Sequence, residues 1–231
     1  MPTIDTRTYI KAIALFWSFV LAAVLLVRAM PANAGEIDIE LGFGQTRYIE
    51  QPNGIWYQEG FPYELELTTV SNSIGISAER NGIRYRLEYL DLGPVSSNAV
   101  ATSDVKYTQH YVQTCGDNCD LLKFAGIGEV AGIVLSASRP VRVFDLPLYV
   151  EAGVFFYEPK WNVQVYTLDE APELVADVRH EPKMEVGPVI GFGVRYSGVD
   201  IGVRYIYCPA TTDEWPGVYK GAYTLMLKAY F

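Results

Sequence analysis

From Tyr223 to Phe231 the chain alternates: Tyr223, Leu225, Leu227, Ala229 and Phe231 fall on one side, and Thr224, Met226, Lys228 and Tyr230 on the other. A period of two residues belongs to a β-strand, whose successive side chains point to opposite faces. One face here is apolar throughout and the other carries a charge. A strand held between lipid and a polar interior has that composition.

The pattern recurs. Ile37, Ile39, Leu41 and Phe43 alternate with Asp38, Glu40, Gly42 and Gly44, and further on Ile74, Ile76 and Ala78 alternate with Gly75, Ser77 and Glu79. Asn81-Gly82 is a strong two-residue hairpin signal, after which Ile83, Tyr85, Leu87 and Tyr89 alternate with Arg84, Arg86 and Glu88. A glycine-rich fourth strand is predicted over 124–136, with Glu129 inside and a turn at Ser138-Arg139-Pro140. The fifth has Leu148, Val150, Ala152, Val154 and Phe156 outside, with Tyr149, Glu151, Gly153 and Phe155 inside. The sixth has Pro188, Ile190, Phe192, Val194 and Tyr196 outside, with Gly191, Gly193 and Arg195 inside. A Ser197-Gly198 turn leads to the seventh, where Val199, Ile201, Val203 and Tyr205 alternate with Asp200, Gly202 and Arg204. The closing run makes the eighth.

Energy decides the facing, because an arginine at the midplane of a membrane barrel costs about 2 to 4 kcal/mol. Arg84 and Arg86 therefore point inward. The inward charges, Asp38, Glu40, Glu79, Glu88, Glu129, Glu151 and Asp200 against Arg84, Arg86, Arg195, Arg204 and Lys228, are expected to pair as a plug, since eight strands enclose little more than their own side chains. Short connections at 81–82, 137–140 and 197–198 alternate with long ones near 45–72, 91–122, 157–185 and 208–220. Short turns on one side and long loops on the other are the habit of outer-membrane barrels. The fold expected is all-β: an eight-stranded antiparallel transmembrane β-barrel with long extracellular loops and short periplasmic turns.

The front of the chain agrees. Arg7 and Lys11 precede an apolar run from Ala12 to Val27, and Ala32-x-Ala34 then offers the small residues that a signal peptidase accepts. Residues 1–34 are expected to be a cleaved signal peptide and 35–231 one outer-membrane barrel domain; a retained membrane helix is the rival reading. The whole chain has a net charge of −9, and removing Asp5, Arg7, Lys11 and Arg28 (net +2) leaves −11. Nucleic acid is excluded as a partner on that balance.

Tyr85, Tyr89, Tyr196, Tyr205, Tyr207, Tyr223 and Tyr230 fall at or near strand ends, where interfacial girdles form. Other aromatics, among them Trp56, Tyr63, Trp161, Tyr166, Trp215 and Tyr219, fall in the expected loops, where packing of loop against loop is preferred over a sticky outer surface. Cys115 and Cys119 flank Gly-Asp-Asn and form a candidate clasp; a bond from that loop to Cys208 is the competing connectivity. Asp117, Asn118 and Asp120 are read as turn chemistry rather than a metal site. No cofactor motif is present, since Gly42-x-Gly44 and Gly191-x-Gly193 lack the helix a phosphate site requires.

Signal, alternation, turn pattern and C-terminal aromatic together resemble the small eight-stranded outer-membrane barrels of the OmpA/OmpX type, over the whole region after residue 34. The resemblance implies that Tyr223, Leu225, Leu227 and Phe231 are read by the barrel-assembly machinery; Ala229 departs from the family's frequent aromatic. It implies residence in the outer membrane as a monomer among lipids and lipopolysaccharide, with a host or phage surface ligand as a further partner. Small barrels of this kind include lipid A deacylases and palmitoyltransferases, so catalysis needs testing against the residues. His110 and His180 are the only histidines, and neither is followed two residues on by the serine of the deacylase pattern. Ser96, Ser97 and Ser103 share a loop with His110 and keep a lipid A-modifying enzyme as one alternative, with a narrow solute pore as another. The leading expectation is a non-enzymatic outer-membrane protein acting through its loops in surface interaction, adhesion or envelope protection.

Overall fold

The computed structural model describes residues 37–50, 63–102, 121–143, 146–168, 171–179, 183–209 and 219–231. They form an all-β, antiparallel fold of ten strands: β1 Ile37–Glu50, β2 Tyr63–Glu66, β3 Thr68–Arg80, β4 Ile83–Thr102, β5 Leu121–Val143, β6 Leu146–Thr167, β7 Leu174–Arg179, β8 Glu185–Tyr196, β9 Val199–Ile206 and β10 Tyr219–Tyr230. Neighbours run β4-β3-β1-β10-β9-β8-β6-β5, and β5 pairs in turn with β4, so eight strands form a circuit of pairings. Outside the circuit, β2 pairs with the upper part of β4, and β7 with the upper part of β6.

The count is therefore ten strands rather than eight. The reason lies in length: β4, β5 and β6 run for 20, 23 and 22 residues, far beyond the ten or so expected. Their upper ends rise past the other strands and leave backbone groups to be satisfied, which β2 and β7 do by pairing along them. Stretches read as loop, 91–102 and 157–167, are strand.

Two of the short turns stand as expected. Asn81 and Gly82 have φ of 54° and 72°, and Ser197 and Gly198 of 44° and 82°, the left-handed pair that matches a two-residue loop to the twist of its strands. The third does not lie at Ser138-Arg139-Pro140. There β5 continues to Val143, with Pro140 opposite Tyr149, so a proline taken for turn chemistry sits in the final residues of a strand.

Facing follows the alternation closely in the lower half of the circuit, toward the short turns. Ile39, Leu41, Phe43, Ile74, Val150, Ile190, Phe192, Ile201, Leu225 and Leu227 are exposed, whereas Glu40, Arg86, Glu88, Glu151, Asp200, Arg204 and Lys228 are buried. Higher up the polarity of the two faces is exchanged. On β6, Trp161, Val163 and Val165 are the buried residues, and Lys160, Asn162 and Gln164 take the outward positions. On β5, Leu122, Phe124 and Val130 face in while Lys123 and Glu129 face out.

On β4 the exchange coincides with a bulge. Asp91 pairs with Ala131 and Pro94 with Glu129, so three steps on β4 oppose two on β5. Inward positions are thus even-numbered up to Leu92 and odd-numbered from Val95. Gly93, with φ of 79°, makes the extra step; its N–H donates to Asp91 Oδ1 at 2.8 Å and its carbonyl accepts from the Tyr48 hydroxyl at 2.7 Å. A side chain at Gly93 would run into the Val70 carbonyl oxygen, so only glycine fits.

Candidate functional site

The enclosed side chains form two layers. The lower is a charge network centred on Glu151 of β6. Arg204 donates to it from Nε at 2.9 Å and from Nη2 at 2.7 Å, Arg86 from Nη1 at 2.9 Å, and the Ser136 hydroxyl also donates to it. Arg86 reaches Glu40 through Nε and lies 3.4 Å from Asp200 through Nη2. Arg204 Nη1 donates to Glu88 at 2.8 Å, and the Lys228 ammonium donates to both Glu88 oxygens at 2.6 Å. Arg195 completes the set, holding Asp200 at 2.9 and 3.0 Å and Ser138 at 3.2 Å.

Four carboxylates, Glu40, Glu88, Glu151 and Asp200, thus meet four cations, Arg86, Arg195, Arg204 and Lys228. The charges balance, as burial demands. These contacts join strands that are not neighbours: Glu88 is on β4 and Lys228 on β10, with β3 and β1 between them in the circuit. The buried faces therefore converge on one interior.

The upper layer is apolar. Leu90, Leu92, Val95, Phe124, Val130, Val134, Phe155, Val163, Val165, Val189, Ile206 and Tyr157 are buried together, with the tilted rings of Tyr48 and Tyr219 in contact at 4.7 Å between centroids. Trp161 and Tyr219, expected in loops, belong to this core on β6 and β10. This layer escaped the sequence reading, although Trp161, Val163 and Val165 alternating with Lys160, Asn162 and Gln164 announce a strand.

Of the residues assigned to the interior, Glu40, Arg86, Glu88, Glu151, Arg195, Asp200, Arg204 and Lys228 are brought together. Arg84 lies at the mouth, 3.3 Å from Asp38 and 3.6 Å from Glu79, with its guanidinium over the Tyr230 ring at 4.4 Å; the Glu79 side chain is about half exposed. Tyr230 accordingly faces inward rather than joining a girdle. Glu129 is not inside at all. It faces outward above the exchange of polarity, 44% exposed and 3.9 Å from Lys160. Its register was hard to read because small residues occupy both faces of that stretch of β5.

Cys208 is a free, buried thiol, so the bond to the second long loop is not made. Burial, and next the nearby Glu185 carboxylate, push that thiol's pKa up, which keeps it an unreactive neutral group. Cys115, Cys119, Asp117, Asn118, Asp120, His110, His180 and Ser103 lie outside the described residues, as do residues 1–34. Ser97 is buried on β4, and the Ser96 hydroxyl donates to Glu66 of β2 at 3.2 Å. Tyr223 and Phe231 are exposed, as are Leu225 and Leu227.

No family model matches the chain, and no curated protein matches it. Solved structures give loose likenesses. The crystal structure of Neisserial surface protein A aligns over 86% of this chain and 99% of its own, with 13% identity and a TM-score of 0.39. That of Ail, the attachment invasion locus protein of Yersinia pestis, in complex with the heparin analogue sucrose octasulfate, covers 85% and 99% at 13% identity with a TM-score of 0.35. The translocator domain of the autotransporter NalP from Neisseria meningitidis covers 96% and 97% at 13% identity with a TM-score of 0.22. Likeness this loose carries no functional conclusion.

Proposed function

We propose that the chain is an integral outer-membrane protein: a closed, eight-stranded transmembrane barrel, non-enzymatic, with its loop end outside the cell as a surface for contact. One observation carries the reading, the exchange of polarity along β4, β5 and β6. In the lower half, residues such as Val150, Phe192 and Leu225 face outward over a charged interior; in the upper half, Lys160 and Gln164 face outward over an apolar one. A strand that leaves lipid for water has to exchange its faces in this way, because lipid favours apolar side chains and water charged ones.

The dimensions agree. Outward apolar residues on β6 run from Leu146 to Phe156, ten steps, or about 25 Å along the membrane normal at a tilt of roughly 40°. That matches the apolar band of such barrels. An apolar surface wrapped around a whole protein far exceeds the few hundred Å² that soluble monomers expose.

Above the band β2, β4, β5, β6 and β7 form one projecting sheet, and Leu174 and Val175 on β7 are exposed at its edge. This sheet, with the loops it carries, is the candidate contact surface for a host, phage or envelope ligand. Signal-peptide cleavage after Ala34, recognition of Phe231 by the assembly machinery and a Cys115–Cys119 clasp complete the proposal.

Topology tests it. An epitope inserted after Thr212 should bind antibody on intact cells, and one inserted at Ser197-Gly198 only after the outer membrane is permeabilised. Accessibility of both, or the reverse pattern, would refute the orientation. Among the described residues the paired charges and the apolar layer above them leave no continuous polar path, so the folded protein in a planar bilayer is expected to give no steady single-channel openings. Reproducible openings would favour the narrow-pore alternative.

A further inference from the structure

The outward positions Ile37 to Phe43, Val70 to Ala78, Ile83 to Tyr89, Ala131 to Ala137, Leu148 to Phe156, Val186 to Tyr196, Val199 to Tyr205 and Tyr223 to Phe231 carry no charge. Among the described residues two charged side chains remain on that face near the short turns, Arg80 and Arg139, and they are near neighbours. Arg80 pairs with Ile83, and the pairing of Arg84 with Ser138 sets Ile83 beside Arg139. The two arginines therefore flank one isoleucine on a single row, about 10 Å apart at their Cα atoms across two strand spacings.

Both are exposed, and neither has an ion-pair partner among the described residues. One row higher on the same face Tyr85, 45% exposed, lies between Ala78 and Ala137. Small neighbours on each side leave room along the ring for a chain to lie against it.

We propose that Arg80, Arg139 and Tyr85 form a lipid-facing site for the phosphate of an anionic glycerophospholipid in the leaflet at the short-turn end. This rests on the barrel reading above. Two guanidinium groups on stems long enough to converge can share one phosphate, each through paired N–H donors. Cations on an otherwise uncharged lipid-facing surface need an anion at that depth, and headgroup phosphates are the anions a membrane offers there. The stems run down along the strands so that the charged ends reach the headgroups, while the Tyr85 ring contacts the first part of an acyl chain.

The test uses the folded full-length mature chain released from detergent in native mass spectrometry, with dioleoylphosphatidylglycerol as probe. The unaltered protein should retain one lipid. R80Q/R139Q should retain it about thirtyfold less, roughly fivefold for each basic residue removed at an anionic surface. R80K/R139K, which keeps both charges but loses the paired donors, should retain an amount between the two. Excess inorganic phosphate should not displace the lipid, because the chains contribute to holding it.

Equal retention by R80Q/R139Q would overturn the proposal, as would equal retention of uncharged dioleoylglycerol or displacement by inorganic phosphate. Heat-modifiable gel migration is followed in each protein. Its absence in the unaltered chain would instead refute the barrel itself, and its loss in R80Q/R139Q alone would assign the arginines to folding and so also overturn the site.

Discussion

Glu151→Gln is expected to destabilise the folded protein by about 3 to 5 kcal/mol, the usual consequence of removing one member of a buried ion-pair network. Glu151 accepts from Arg86, Arg204 and Ser136 at once. Its neutral isostere leaves two guanidinium groups short of their partner in an interior with little water to replace it. Urea unfolding in lipid vesicles, followed by tryptophan fluorescence, measures the loss. Glu129→Gln is the control: its pair with Lys160 is 3.9 Å long and about half exposed on both sides, so about 1 kcal/mol or less should change. Similar losses at the two sites would show that the interior network is not enclosed.

Phe192→Arg is expected to cost about 2 to 4 kcal/mol in vesicles. Phe192 is 64% exposed, faces outward between Val150 of β6 and Val203 of β9, and lies near the middle of the apolar band. In water an exposed phenylalanine could be replaced by arginine with a change of about 0.5 kcal/mol or less. The penalty therefore reports the solvent at that position. Gln164→Arg, outward on β6 above the band, should fall within that smaller range. The same vesicle unfolding assay reads both, and a neutral Phe192→Arg would contradict the lipid-facing assignment.

The facing of the lower strands was legible because one energetic term dominates there. An arginine on the lipid side costs more than any local propensity, so Arg84, Arg86, Arg195 and Arg204 fix the parity of β4, β8 and β9 without help from tertiary contacts. The network's membership followed from the same term. Its wiring did not, since the choice of Lys228 for Glu88 depends on β4 and β10 facing each other across the interior.

The upper half was misread for two reasons. Its apolar positions face inward, the opposite sense to the strands below, so Trp161, Val163 and Val165 did not continue the expected pattern. On β4 the Gly93 bulge also shifts the parity from even to odd, and a period-of-two reading cannot follow that shift. Glu129 shows the outcome: it faces outward beside Lys160, as the proposed membrane placement requires of a stretch above the apolar band. The strands β2 and β7 were hidden for a related reason, being short edges whose pairing depends on the reach of β4 and β6.

Heat-modifiable migration tests the closed transmembrane barrel most directly. The mature chain folded into phospholipid vesicles should migrate differently on a denaturing gel before and after boiling, and its strands should resist protease added outside the vesicles. A single unshifted band, with complete digestion and recovery of the protein in the aqueous fraction, would contradict a barrel held in lipid.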